Sequence, residues 1–285
     1  MAELLKGKPV VEAMARDLEL RVARLHEHNV NPTLAIVRVG QRPDDLSYER
    51  TALKRAESLG IDVRSMVLNE TACTEELATV IDAINKEVTI HGCLLFRPLP
   101  PSIDENAICD LLSPEKDIDG ITRASLASIF VGQGAGFAPA TAAAVMRMLD
   151  YYEVPLHGAH VVVVGRSLVI GKPVAQLLLA RHATVTMCHS RTADLAELMR
   201  GADIVVCATG RARGYGKECF SAGQVVIDVG INFDGEGNMC GDVDFATVEP
   251  VVGAITPVPG GIGSVTTSTT MAHVVEAAER AIGLS

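Results

Sequence analysis

The stretch "VVVVGRSLVIGKP", Val161 to Pro173, runs from an apolar segment into a glycine–lysine pair, and its spacing must be tested against two phosphate chemistries. A Walker-type phosphate loop requires Gly-x-x-x-x-Gly-Lys followed by Ser or Thr. Here five residues separate Gly165 from Gly171, and Pro173 stands where the magnesium-holding hydroxyl belongs, so that reading fails. The dinucleotide fingerprint Gly-x-Gly-x-x-Gly also fails literally, because residue 167 is Ser. Its context is nevertheless present: four valines of strand, a tight turn at Gly165, and a helix opening near Gly171 and Pro173. Proline suits a first helical turn because its missing N–H would be unpaired there anyway. A helix N-terminus aimed at the turn offers free amides and the positive end of a dipole to a pyrophosphate.

The next apolar segment decides which dinucleotide. NAD-specific units end that strand with an acid that hydrogen-bonds the ribose hydroxyls. The segment "ATVTMCHSRTADL" ends instead on Cys188-His189-Ser190-Arg191-Thr192. A carboxylate would repel a ribose phosphate, whereas Ser190 can donate to it and Arg166 or Arg191 can pair with it. NADP therefore fits better than NAD, although NAD stays possible because Arg166 and Ser190 could also meet an unphosphorylated ribose. Metal chemistry has no comparable pattern. The eight histidines form no HExxH, and the seven cysteines are scattered without a CxxC, which reads as reduced, mostly buried thiols and no metal site.

These residues need elements to hold them. Strand-like runs alternate with amphipathic stretches along the chain, which predicts an α/β fold with largely parallel sheets covered by helices on both faces. The run 33–39 is a strand, "YERTALKRAESLG" a helix closed by Gly60, and "DVRSMVL" a second strand. "TEELATVIDAINKE" is a second helix with Thr74 as N-cap, and "GCLLFRPLP" a third strand stopped by prolines. After three glycines a helix is expected from about Thr141 to Tyr152. Then "HVVVVG", "TVTMCHS", "DIVVCATG", "QVVIDVGIN" and "GAITPVPGG" follow at the spacing of a Rossmann-like sheet. The final "TTSTTMAHVVEAAERAIG" reads as a helix that packs back on the first domain. A chain of 285 residues suits two domains, drawn here as 1–138 plus 269–285 and 139–268. A net charge of −10 argues against nucleic acid as a partner. No apolar run reaches the roughly 20 residues that span a bilayer, and the N-terminal stretch lacks a signal peptide's apolar core. No membrane partner is expected, and the cytoplasm is the expected compartment.

Taken in order, "VGQRP" with Tyr48, "RPLP", "PEKDIDGI", "VVVVGRSLVIGKP", "TVTMCHSRT", "ADIVVCATG", "VVIDVGIN", "GDVDF" and "ITPVPGGIGSVT" make the chain resemble the methylenetetrahydrofolate dehydrogenase/cyclohydrolase family over nearly its whole length. The resemblance implies a folate-binding catalytic domain and an NADP-binding Rossmann-like domain with a cleft between them, usually in a homodimer. It implies oxidation of methylenetetrahydrofolate to methenyltetrahydrofolate, and in many members hydrolysis onward to formyltetrahydrofolate. By resemblance Tyr48 stacks on the folate aminobenzoate ring, Asp119 hydrogen-bonds the pterin, and the backbone of Gly260 and Gly261 closes over substrate. Gly165, Arg166, Ser167, Ser190 and Ile231 match NADP contacts, Arg191 stands beside them, and Thr141 is expected near the nicotinamide.

The departures gather in one place. The family's Lys, four residues after the Tyr, is Ala52, and its Gln before "PLP" is Phe96, with Arg97 beside it. Phe96 thus takes a substrate-binding position. Lys54 points elsewhere on the helix, and Arg55 returns to the Tyr48 face only about 10 Å further along the axis. Its guanidinium cannot act as a base near neutral pH. Hydrolysis needs a positioned acid or base, whereas hydride transfer needs accurate placement of substrate against the nicotinamide. The expectation is a dehydrogenase whose cyclohydrolase activity is weak or absent. The alternatives are the full bifunctional enzyme, with another group handling protons, and a non-catalytic folate- or nucleotide-binding protein.

Overall fold

A computed structural model describes residues 1–284, and they divide into two compact units. Unit one comprises Met1–Glu12 with Thr141–Thr266, and unit two Ala13–Ala140 with Thr267 onward. In chain order the first elements are β1 (Glu3–Leu4), α1 (Gly7–Glu27), β2 (Thr33–Val39), α2 (Pro43–Leu59), β3 (Asp62–Leu68), α3 (Thr74–Lys86) and β4 (Gly92–Leu95). Then come α4 (Glu105–Leu111), α5 (Arg123–Val131), α6 (Ala140–Tyr151), β5 (His160–Val164), α7 (Gly171–Ala180), β6 (Thr184–Cys188) and α8 (Leu195–Arg200). The series closes with β7 (Ile204–Cys207), β8 (Val225–Asp228), β9 (Asn232–Phe233), β10 (Met239–Cys240), α9 (Phe245–Val248), β11 (Ala254–Ile255) and α10 (Ile262–Ala281).

Unit two is built on a parallel three-stranded sheet in the order β3-β2-β4. Strand β2 is central and buried at every position except Arg38, as its apolar run Leu34 to Val37 requires. One face packs under α3 through Leu77, Ile81 and Ile84, with Ala35, Val37, Cys93 and Leu95 beneath them. Helix α2 ends at Gly60, which adopts the left-handed conformation that residues with a Cβ resist. The N-cap of α3 is Cys73 rather than Thr74: the Glu76 carboxylate accepts from the Cys73 N–H at 2.9 Å. Thr74 opens the helix instead, and its hydroxyl accepts from the Asp104 N–H at 3.0 Å.

Unit one holds a six-stranded sheet in the order β1-β11-β8-β7-β5-β6, every neighbouring pair parallel. The chain leaves β5 for β6 on one side and returns to β7 on the other. The carboxyl ends of β5 and β7 therefore form a topological switch point, where doubly wound sheets bind ligands. Residues 1–12 group with this unit. Glu3 and Leu4 extend the sheet by pairing with Ala254 and Ile255, a two-residue strand too short to leave a periodic signal. Six of the seven cysteines are buried, Cys73 is exposed, and none is paired.

Candidate functional site

In unit two, three of the sequence-marked residues converge. Tyr48 is half-buried on α2, and its ring meets that of Phe96, just past β4, at 5.6 Å between centroids. The Tyr48 hydroxyl engages Thr267 and Thr270, whose side chains form a buried polar face of α10. Burial, reinforced by the nearby Asp119 charge, pushes the Tyr48 pKa up to about 12, so the phenol stays protonated. Asp119 is itself pushed up to about 7, first by burial, with Arg97 opposing the shift and Asp117 adding to it. Its neighbour Asp117 is fully buried for a different purpose. It accepts from the backbone N–H groups of Ile121 at 2.9 Å and Thr122 at 2.8 Å, which fixes the turn that carries Asp119.

Ala52 lies one turn beyond Tyr48 and is wholly buried. Lys54 is exposed and Arg55 half-exposed, so α2 brings no ammonium to this corner by either route. The cation nearest in effect is Arg97. Its Nη1 lies 3.5 Å from Glu105 Oε1, while Glu105 Oε2 accepts from the Leu99 N–H at 2.8 Å. Sequence reasoning gave no role to Arg97, Glu105, Asp117, Thr267 or Thr270. Thr267 and Thr270 sit in a polar run, "TTSTT", whose burial was the missing signal. A separate cavity of about 1180 Å³ opens at the opposite end of the same sheet, against Thr33, Arg64 and His91, and contains none of these residues.

In unit one the turn after β5 is tight for a visible reason. Gly165 has φ of +132°, and a Cβ there would strike the carbonyl oxygen of Ala208, the residue after β7. A Cβ on Gly171 would in turn strike the Gly165 carbonyl, so the opening of α7 lies directly on the strand end. Arg166 and Ser167 are exposed between these glycines, and the Ser167 hydroxyl accepts from the Ile170 N–H at 3.1 Å. The Gly165 N–H donates to the Cys188 carbonyl at 2.9 Å, which ties this turn to the segment carrying Ser190 and Arg191, both exposed. No acid stands at that strand end. An exposed cradle of serines and arginines at a switch point, with backbone too close for any Cβ, fits a phosphorylated dinucleotide.

Ile231 is exposed beyond β8, and Thr141 is half-buried in the first turn of α6. Gly260 and Gly261 precede α10, the Gly260 carbonyl accepting from the Gly7 N–H at 2.8 Å. Two further carboxylates hold this region together. Asp228 accepts from the N–H groups of Gly230, Asp242 and Val243, yet burial still raises its pKa to about 6. Asp242 accepts from Thr209, Gly210, Arg211 and the Asn232 side chain. The segments "VVIDVGIN" and "GDVDF" carry these acids, but sequence gives no hint that they meet. Among the described residues no three His, Cys, Asp or Glu side chains gather as metal ligands, and no helix is long and apolar enough to cross a membrane.

Together the two units define a two-domain α/β protein in which a Rossmann-like nucleotide unit accompanies a second α/β unit bearing an acid–aromatic corner. Residues 5–119 match the tetrahydrofolate dehydrogenase/cyclohydrolase catalytic domain, and residues 139–282 match that family's NAD(P)-binding domain. The chain belongs to the tetrahydrofolate dehydrogenase/cyclohydrolase family. It is 49% identical over 286 residues to the bifunctional protein FolD of Carboxydothermus hydrogenoformans, covering 100% of both chains. Its fold matches the crystal structure of the bifunctional FolD methylenetetrahydrofolate dehydrogenase/cyclohydrolase from Campylobacter jejuni with a TM-score of 0.95 at 33% identity, over 98% of this chain and 99% of that one. It also matches the Trypanosoma brucei dehydrogenase–cyclohydrolase, solved with NADP cofactor and inhibitor, with a TM-score of 0.92 at 34% identity, over 99% and 98% of the two chains.

Proposed function

We propose that this chain oxidises methylenetetrahydrofolate to methenyltetrahydrofolate with NADP and hydrolyses that product to formyltetrahydrofolate. The second half is the alternative that Ala52 and Phe96 place behind a dehydrogenase alone. Near-half identity over the full length to a protein named bifunctional favours it. The observation that carries it is that match, 49% identity over the whole of both chains, together with an acid–aromatic corner in which Tyr48, Phe96 and Asp119 converge.

In this reading Tyr48 stacks on the aminobenzoate ring, Phe96 forms the wall beside it, and Asp119 accepts from the pterin N–H edge. When bound, NADP supplies the hydride acceptor. Gly165, Arg166, Ser167, Ser190, Arg191 and Ile231 hold the dinucleotide, with Ser190 and an arginine on the ribose phosphate. Thr141 lies by the nicotinamide, and the Gly260–Gly261 backbone closes over the folate. The protein's task in the oxidation is placement, because the nitrogen lone pair next to the methylene carbon expels the hydride. The resemblance extends the reading to a cytoplasmic homodimer, which light scattering on the purified chain tests.

The deciding experiment mixes enzyme, NADP and methylenetetrahydrofolate and follows absorbance in the near ultraviolet. Methenyl product that forms and then decays faster than its spontaneous hydrolysis is the expected result. Methenyl product that accumulates would leave the dehydrogenase and remove the cyclohydrolase. NADP left unreduced would remove both.

A further inference from the structure

The loops that follow β7 and β8 leave neighbouring strands at the carboxyl end of the six-stranded sheet and meet on one side chain, Asp242. Its carboxylate is wholly buried. Oδ2 accepts from the Thr209 N–H, from the Thr209 hydroxyl at 3.0 Å and from the Gly210 N–H at 3.2 Å. Oδ1 accepts from the Arg211 N–H at 2.9 Å and from the Asn232 side-chain amide at 3.0 Å. The backbone donors come from one loop and the amide from the other, so a single carboxylate fastens both.

Asp242 is itself held from behind. Asp228, at the end of β8, accepts from the Asp242 N–H at 3.0 Å and the Val243 N–H at 2.9 Å, and a Cβ on Gly241 would strike it. The Asp242 carboxylate fills the space that a Cβ on Gly230 would need, so the second loop lies directly on it. Between Gly230 and Asn232 stands Ile231, an apolar side chain 60% exposed. In the first loop the Ala208 carbonyl is the atom against which Gly165 packs. Both loops therefore border the phosphate turn on the side away from β6. A doubly wound sheet binds its dinucleotide across the switch point, one half on each side. The serine–arginine end of β6 faces the adenosine half, and the loops after β7 and β8 face the nicotinamide half.

We infer that Asp242 is a positioning residue for the nicotinamide half of the dinucleotide: its carboxylate holds the loops after β7 and β8 where Ile231 and the backbone of residues 208–210 together seat that half. This rests on the reading that NADP lies at the switch point. A carboxylate accepts at both oxygens, whereas an Asn side chain has one acceptor oxygen and turns N–H donors towards the other set of partners. Asp242→Asn thus keeps the size of the side chain and releases one of the two loops.

The test compares two ligands on the full chain by titration calorimetry: NADP, and adenosine 2′,5′-bisphosphate, the part of NADP that lacks the nicotinamide riboside. Asp242→Asn should raise the Kd for NADP about tenfold and leave that for the bisphosphate within about twofold of the parent. Asn232→Ala, which breaks only the tie to the second loop, should shift NADP the same way by a smaller factor and spare the bisphosphate. If Asp242→Asn does not fold, Asn232→Ala decides alone. An unchanged Kd for NADP, or an equal loss of both ligands, would overturn the proposal, because general damage does not choose between the halves of the nucleotide. A parent chain that binds neither ligand would remove the cofactor reading first and the proposal with it.

Discussion

The rings of Tyr48 and Phe96 meet edge to face, with planes at 79° and centroids 5.6 Å apart. One ring comes from a helix and the other from the end of the neighbouring strand. The contact fixes α2 against the carboxyl end of β4, where Asp119 and Arg97 also act. Edge-to-face pairs add about 0.5–1.5 kcal/mol beyond their buried area. The pair also makes one wall of the corner apolar where the family resemblance expects an amide. Proton handling must then come from elsewhere in the corner.

Putting lysine at position 52 should damage the protein rather than restore a catalytic amine. Ala52 has no exposed surface, so Ala52→Lys forces four further heavy atoms and a charge into filled space. Overpacking alone costs about 1–3 kcal/mol. Thermal melting should show the loss, and Phe96→Gln added to the same chain should not recover it.

Stability should fall as pH rises through neutrality, on account of Asp119. Its folded pKa of about 7 lies above the ordinary 3.8, so between those values the folded chain binds more protons than the unfolded one. Unfolding free energy must then decrease with pH across that window. Asp119→Asn removes this share of the dependence and leaves that of Asp228, whose folded pKa of about 6 acts with the same sign. Denaturant midpoints should show the variant gaining on the parent between pH values of about 5 and 8, and an equal difference at both ends would contradict the assignment.

Gly165→Ala should cost both folding and cofactor. At φ of +132° a Cβ meets the Ala208 carbonyl, and the strand end must shift away from α7. A loss above about 1 kcal/mol is expected. NADP titration by fluorescence should show at least about a tenfold weaker Kd, equal to 1.4 kcal/mol.

Charge at the second strand end should set nucleotide choice. Ser190→Asp places a carboxylate where Ser190 and Arg191 now stand exposed. KM for NADP should rise by about tenfold or more while KM for NAD rises less, since an acid suits ribose hydroxyls and repels a phosphate. Equal effects on the two would argue that the 2′-phosphate lies elsewhere.

Local rules made much of the fold legible. The alternation of apolar runs and amphipathic stretches gave both parallel sheets, and Gly60 and Pro173 marked helix ends, because propensity and period act over a few neighbours. The same range marked Gly165, Ser190 and the acid-free strand end as a phosphate corner. Four things needed the tertiary structure: the addition of Glu3–Leu4 to the nucleotide sheet, the meeting of Asp228 with Asp242, the burial of Thr267 and Thr270 against Tyr48, and the raised pKa of Asp119. Each depends on which distant residues exclude water from a polar group. Desolvation belongs to the packed surroundings of an atom, and a one-dimensional pattern does not contain it.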